Sequence, residues 1–532
     1  MPTCFFLIFF PILLFAHSWA EQTLAELTLE EKIGQLFVAP ACPMRGEDHR
    51  RDWKVLFDTF HIGNAIVKQS DPITQVKFLN ELQEKSRWPL LIAADAEWGL
   101  AMRMKDTMAF PRNRTLGAVS DRELIYAAGM EIGRQAKRVG IHLNLAPVAD
   151  VNTNPANPII GMRSFGEDPK RVAEWASAMA SGMESSGILA SLKHFPGHGD
   201  TSVDSHKGLP VVTHSRKRLN AVEFVPFRKA IEEGIGAILT AHLLVPAIDP
   251  DNPATLSSKC LTGILRKEWG FDGLIVSDAL NMEALLESPE TVAVKAFAAG
   301  CDLLLYGDHI APHIDKLVRE DVPRAWKALK KGFDEGILSL DQLDASVARI
   351  LAAKERMGLH VSRKVSEEGL DEALHTFDAM RLKRRLFQEA VVLHGDLKAL
   401  PKNTAYVSIG VSDEIAAEFS SVFHVAPDLG ASDRIKLSKE LKEFDSVVIG
   451  VHKWGPRDQN YGFSSDCLAL IRSMPNSTLC LFGTPYAMGL FSHPGPLLIG
   501  FENDSDAQTA VLDILQGRAN AIGDGVLRDI SH

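Results

Sequence analysis

Between residues 24 and 359 the chain alternates eight times between a short apolar run and a longer segment with apolar residues at helical spacing. The apolar runs fall at residues 35–38, 64–68, 90–94, 142–146, 189–193, 237–241, 273–277 and 302–305. Runs this short fit strands buried on both faces, and intervening segments such as 121–138 and 169–185 fit helices that cover them. A strand that must be followed by a helix before the next strand returns in the same direction, so the sheet is expected to be parallel. Eight such units predict a (β/α)₈ TIM-type barrel, with a doubly wound open sheet as the alternative. No Gly-x-Gly-x-x-Gly follows any of the runs, so nothing supports dinucleotide binding.

The pattern changes after residue 360. Residues 361–377 are polar and charged and read as a linker or a segment wrapping the barrel. A smaller alternation follows, with apolar runs at 391–393, 406–409, 447–451, 479–482 and 497–500. It predicts a second, layered α/β sandwich domain over 378–532, after a barrel spanning 21–360. Two cores suit a chain of 532 residues, which is too long for one.

At the other end, residues 4–16 are apolar but too few to span a bilayer, and the small residues Ser18 and Ala20 suit cleavage before Glu21. Residues 1–20 therefore read as a signal peptide, which implies a periplasmic or extracellular protein without stable membrane insertion; a buried N-terminal helix is the alternative. The six cysteines, at 4, 42, 260, 301, 467 and 480, are widely spread and form no Cys-x-x-Cys pair, so neither a disulfide framework nor a zinc site is indicated. The net charge is −11 and the basic residues are scattered, which excludes a nucleic-acid grip.

Barrels of this kind carry their reactive groups where strands run into the following loops. Those positions hold Asp95, Asp150, Lys193, His194, His242, Asp278 and Asp308. Ionisable groups gathered on one rim are costly to bury unless paired or used, so they mark a candidate site. After the fifth run the sequence reads Lys193-His194-Phe195-Pro196-Gly197-His198-Gly199-Asp200-Thr201 and continues to Asp204-Ser205-His206. A metal centre is the competing reading of such a cluster. It lacks His-x-x-x-His spacing, and a lysine within it would repel a divalent cation, so no metal is expected.

The loop at 193–206 resembles the signature loop of family-3 glycoside hydrolases, in the form carried by the exo-acting β-N-acetylglucosaminidase (β-N-acetylhexosaminidase) branch. Three further segments match in the same order. Residues 95–103 are similar to the family's third-strand motif, with Ala96, Trp98 and Leu100-Ala101-Met102 in place of its Gln, Gly and Arg-Val-Gln. Arg163-Ser164-Phe165-Gly166 is similar to its Arg-Ser-Phe-Gly segment, and Phe271-Asp272-Gly273 with Ser277-Asp278-Ala279-Leu280-Asn281-Met282 to its nucleophile strand. The region after 378 resembles the C-terminal α/β domain of some members.

The resemblance implies a retaining exo-glycosidase that releases terminal β-linked N-acetylglucosamine through a glycosyl-enzyme on Asp278. It makes His206 the acid/base, supported by Asp204, and gives Asp95, Arg103, Arg163, Lys193 and His194 the task of holding the sugar. Lys193 and Arg163 are expected to keep Asp278 ionised. Asp150 is expected to orient loops and partners. Met282 is expected either to pack against the sugar or its acetamido group, or to be a core residue at a helix start. No cofactor is implied; the partner is a small glycan, such as a β-N-acetylglucosaminide from peptidoglycan (a muropeptide). Three alternatives remain: a phosphorylase on the same scaffold, a β-glucosidase with its acid on the second domain, and an inert glycan-binding protein.

Overall fold

Eight parallel strands build the first sheet: β1 (Phe37–Ala41), β2 (Asn64–Val67), β3 (Leu91–Ala94), β4 (Leu143–Asn144), β5 (Leu189–Phe195), β6 (Ala237–Thr240), β7 (Leu274–Val276) and β8 (Leu304–Leu305). The computed structural model describes residues 18–206, 208–307, 311–411, 414–452, 459–474 and 476–524. Asp308 and nearly all of the expected signal peptide lie outside these described residues.

Every residue of the eight strands is buried, because helices cover the outer face and side chains fill the interior. The strand order is β7-β6-β5-β4-β3-β2-β1-β8. Phe37 pairs with Leu304, so the first strand joins the last. The remaining seam is closed by a parallel bridge between Val276 and Leu303, where the Ser277 N–H donates to the Leu303 carbonyl at 2.9 Å. The sheet is therefore a barrel and not an open doubly wound layer. The helices Arg122–Arg138 and Pro169–Ser185 cross closely on its outside. A Cβ on Gly129 would stand 2.1 Å from the Met179 carbonyl oxygen, and only glycine allows that approach.

The first strand begins later than the apolar run at 35–38. Residues Leu29–Leu36 form a helix, opened by a capping box in which Thr28 and Glu31 satisfy each other's backbone N–H groups. The apolar run straddles the helix–strand junction. A second capping box, Ser18 with Glu21, starts the helix Trp19–Glu26. Its first N–H groups donate to Glu355, from Trp19 at 2.8 Å and from Ala20 at 3.4 Å. The expected boundary between Ala20 and Glu21 thus falls within a helical first turn.

The segment 361–377 wraps the barrel: the Val365 carbonyl accepts from the Asn80 amide at 2.8 Å, and Arg138 reaches the carbonyls of Ser366 and Glu368. It contains a short helix, Leu370–Leu374, and the helix Phe377–Ala390 leads into a six-stranded sheet. That sheet comprises β9 (Val392–His394), β10 (Thr404–Ile409), β11 (Val422–Val425), β12 (Ser446–Val451), β13 (Ser477–Leu481) and β14 (Leu497–Ile499), in the order β11-β10-β12-β13-β14-β9. Only β9 runs antiparallel to its neighbour. The sequence reading missed β11, an edge strand with three of its four residues partly or fully exposed and no continuous apolar run.

Alternate residues of this sheet face two cores, Val407, Ile449 and Leu481 on one side and Tyr406, Val448 and Cys480 on the other. The barrel core continues into the second domain through Leu386, Ala390, Val392, Ile499 and Phe501. The five cysteines among the described residues are buried thiols. Among the described residues no helix is long and apolar enough to cross a membrane.

Candidate active site

The ends of β3, β5 and β7 and the loops beyond them open onto a cavity of about 920 Å³. Asp95, Arg103, Arg163, Lys193, His194, Asp204, His206, Asp278 and Met282 all line it.

Its floor is an ion-pair cluster. Lys193, within β5, lies 3.1 Å from Asp95 Oδ1 and 2.8 Å from Glu97 Oε1. Arg103 donates to Asp95 Oδ2 at 2.7 Å, and Arg163 grips Glu97 through two nitrogens, at 2.7 and 3.0 Å. Burial would push both carboxyls up, but Lys193 and Arg103 hold Asp95 well below the usual range, and Arg163 and Lys193 do the same for Glu97. Buried ion pairs contribute little net stability, so a cluster facing a cavity is better explained by what it binds. The sequence reading did not single out Glu97. Its only signal is the Asp95-x-Glu97 spacing just beyond β3, which sets both carboxylates beside Lys193.

His194 is fixed by its hydrogen bonds. An arginine only donates, so Arg163 at 3.3 Å must meet an unprotonated Nε2, and Nδ1–H donates to Asp150 Oδ2 at 2.7 Å. Asp150 is fully buried and does not line the cavity. Its Oδ1 accepts the backbone N–H groups of His194 and His198, at 3.2 and 2.6 Å. That geometry gives Asp150 the orienting part expected of it. His198 is pushed down to about 4 by burial and bonds to Thr201 at 2.7 Å and Ser205 at 3.3 Å, which braces the loop.

The loop ends in a local dyad. Asp204 Oδ1 accepts from the backbone N–H of His206 at 3.0 Å and from its Nδ1 at 2.8 Å, which leaves Nε2 as the ring's outer nitrogen. The His206 side chain is 53% exposed, against 11% for Asp204. Its ring is near enough to Asp278 to lower that carboxyl's pKa.

Asp278 follows β7 by two residues, and its Oδ1 accepts the Ala279 N–H at 2.7 Å. Burial raises its pKa, while His242, His194 and His206 when protonated, together with the Ala279 N–H, bring it below the usual carboxylate range. Lys193 and Arg163, expected to keep it ionised, are committed instead to Asp95 and Glu97. A ring of hydrogen bonds sets the backbone here. The Asp278 N–H donates to Thr240 Oγ1 (3.3 Å), Thr240 and Thr255 share a bond (2.8 Å), and Thr255 meets His242 Nδ1 (2.9 Å). His242 Nε2–H then returns to the Ala279 carbonyl at 2.9 Å. The Thr255 hydroxyl also donates to the Ala241 carbonyl at 2.9 Å, and burial pushes the His242 imidazole down.

Met282 is buried, as its alternative as a core residue expected, and it also lines the cavity; it sits in a turn and not at a helix start, since the next helix begins at Pro289. The second domain supplies Tyr461, Thr484 and Tyr486 to the cavity wall. Among the described residues no group of three or more His, Cys, Asp or Glu is placed to hold a metal ion.

Comparison with known proteins agrees with this architecture. The chain is 37% identical over 295 residues to β-hexosaminidase A of Pseudoalteromonas piscicida, a match covering 52% of this chain and 49% of that protein. The chain thus spans about half the length of that relative. A β-hexosaminidase of Mycobacterium tuberculosis is 30% identical over 344 residues, covering 62% of this chain and 84% of that one. The solved structure of a glycoside hydrolase family 3 β-N-acetylglucosaminidase from Paenibacillus sp. superposes with a TM-score of 0.80 at 31% identity, covering 94% of this chain and 98% of that one. The model of the glycosyl hydrolase family 3 N-terminal domain matches residues 28–353, more than half of the sequence, and the chain belongs to that family.

Proposed function

We propose that the protein is a retaining exo-hydrolase that removes terminal β-linked N-acetylglucosamine, with fragments of peptidoglycan as its source of substrate. The observation that carries this reading is the joint presence, on one cavity, of the Asp278 carboxylate just beyond β7 and an imidazole–carboxylate dyad on the loop after β5. Asp278 attacks the anomeric carbon through the oxygen not held by Ala279, while His206 gives a proton to the leaving oxygen. Water then displaces Asp278 from the glycosyl-enzyme, and His206 takes up its proton. Two displacements at one carbon return the β configuration. Asp95, Arg103, Arg163, Lys193 and His194 hold the sugar's hydroxyls, and Met282 packs beside it.

The Asp204–His206 pair on the loop after β5 supports this reading over a β-glucosidase with its acid on the second domain. The peptidoglycan source rests on the expected export signal alone. Phosphorolysis is the second reading, because an imidazole acid/base does not repel a phosphate anion as a carboxylate would.

Turnover of chromogenic β-N-acetylglucosaminide and β-glucoside, each with and without phosphate, tests these readings together. Phosphate-independent release from the N-acetylglucosaminide alone is expected, with the β anomer appearing first by proton NMR and with no turnover by Asp278→Asn. Phosphate dependence would move the assignment to a phosphorylase, and initial α anomer would remove the covalent route.

A further inference from the structure

The segment that carries Arg163 reaches the second domain at its other end. The Arg163 side chain meets Glu97 and His194 on the cavity floor, and four residues on, Glu167 accepts the Tyr486 hydroxyl across the domain seam. Tyr486 is buried and shares the cavity wall with Arg163, whereas Glu167 does not line the cavity. Burial and the Glu167 carboxylate push the pKa of the Tyr486 hydroxyl up, so it stays a donor. The mechanism above gives neither residue a part.

Two sets of contacts hold this segment. From the barrel, Asn152 brackets it: its Oδ1 accepts the Gly161 N–H at 3.2 Å, and its own N–H donates to the Gly166 carbonyl at 2.9 Å. Ser164 Oγ donates to the Asp150 carbonyl at 2.6 Å. The Arg163 carbonyl instead accepts from the Asn113 amide at 2.7 Å, and Asn113 begins a helix of only four residues, Asn113–Leu116. A single turn does not hold itself in water, so its place is set by what packs against it. Much of that comes from the second domain. Glu502 Oε1 accepts the Arg112 N–H at 2.7 Å and the Thr115 hydroxyl at 2.5 Å. Arg114, in the same turn, is fully buried, with one nitrogen 3.4 Å from each Glu167 oxygen. Its guanidinium lies over the rings of Tyr486 and Phe501, 5.9 and 5.8 Å from their centroids. Gly117, which ends the turn, leaves no slack, because a Cβ there would stand 1.9 Å from the Phe165 carbonyl oxygen.

The second domain thus reaches the Arg163 segment directly at Glu167 and indirectly through the turn 113–116. We propose that docking of the second domain positions Arg163 for the sugar, with Tyr486 as a positioning residue that acts through Glu167. A guanidinium is a planar fork whose hydrogen bonds need their direction kept, so a small displacement of its backbone weakens what it holds. This rests on the part given to Arg163 in the proposed function.

The test pairs steady-state turnover of an aryl β-N-acetylglucosaminide with the Kd for N-acetylglucosamine by calorimetry, which needs no turnover. Tyr486→Phe keeps the ring and removes the hydroxyl. It should raise KM and Kd about three- to tenfold with kcat little changed, a fraction of what one hydrogen bond to a charged group is worth. Neither constant depends on how much of the protein is folded, so partial loss of fold does not imitate the effect. In an Arg163→Lys background the guanidinium to be positioned is gone, and Tyr486→Phe should add less than about twofold. Where Arg163→Lys binds too weakly to measure, Glu167 decides: Glu167→Ala should raise both constants as Tyr486→Phe does, and Glu167→Gln, which keeps an acceptor, should recover part of the loss. Unchanged KM and Kd in Tyr486→Phe with a lowered Tm would overturn the proposal and leave the hydroxyl a stabilising contact. A full effect in the Arg163→Lys background, or none from either Glu167 variant, would also overturn it, because Tyr486 would then act on the sugar directly. Each of these results leaves the proposed function standing, whereas failure of the unmodified protein to cleave the aryl glycoside overturns both.

Discussion

Three histidines crowd the loop after β5, and their hydrogen bonds give them different capacities. His194 has both ring nitrogens committed, to Arg163 and Asp150, and His198 is bound to Thr201 and Ser205. Only His206 keeps a ring nitrogen clear of these contacts, with Asp204 holding the other. On the proposed mechanism, His206→Ala should slow disaccharide cleavage by about 10²–10⁴-fold while sparing glycosylation from an activated aryl glycoside. Asp204→Ala should do the same more mildly. Steady-state rates against leaving-group pKa and a pre-steady-state burst measure both, and equal loss on all substrates would make His206 structural. Glu97 supports a second prediction. Glu97→Gln leaves Lys193 and Arg163 short of a buried counter-charge, which should cost about 3–5 kcal/mol in urea unfolding and raise KM. The folded-state pKa values of Asp95 and Glu97 are depressed, so their contribution is complete above the unfolded values of about 3.9 and 4.3 and is lost as pH falls through the folded ones. Stability should therefore drop more steeply below about pH 4 in the wild type than in Glu97→Gln. Asp95 and Lys193 were legible in the sequence because they stand where apolar runs end. Glu97 was not, because a carboxylate on a loop looks solvated until the two cations beside it are seen.

The unit that holds Asp278, the proposed nucleophile, joins β6, the turn Ala254–Leu256 and β7 through Thr240, Thr255 and His242. Thr255→Val removes the hydroxyl in the middle and strands His242 Nδ1, a loss of about 1–3 kcal/mol. If the ring of bonds sets the approach of Asp278, kcat should fall with KM little changed, and Thr255→Ser should restore it. A Thr255→Val protein with wild-type kcat and a lowered Tm would reduce the network to a stabilising role. His242 was readable as a strand-end group, but its partners were not, since only the closed barrel brings Thr240 and Thr255 beside it. The strands themselves were readable wherever an apolar run coincided with a strand, as at β5 and β6. The run at 35–38 misled because helix and strand share it, and β11 escaped because an edge strand need not be apolar.

For the whole molecule, eight repeats of one pattern were enough to predict the barrel, but not how the second domain meets it. Tyr486 donates to Glu167, the core runs through Ile499 and Phe501, and Glu502 clasps Arg112 and Thr115. These partners lie hundreds of residues apart and leave no local signal. The raised pKa of Glu502 gives the seam a pH dependence. Its contribution is complete below the unfolded value of about 4.3 and is lost as pH rises through the folded one. Glu502→Gln keeps an acceptor for Arg112 and Thr115 without the charge, so its Tm should exceed the wild type's increasingly towards alkaline pH. A lower Tm for Glu502→Gln at pH 8 would mean that the ion pair with Arg112 outweighs the burial penalty. The docking also orders events in time. As the chain leaves the ribosome, the ion-pair cluster, Asp278 and the Asp204–His206 dyad are all made before Tyr461, Thr484 and Tyr486 are translated. On the proposed reading, a nascent chain holds its reacting groups before the last part of the wall around them has been made.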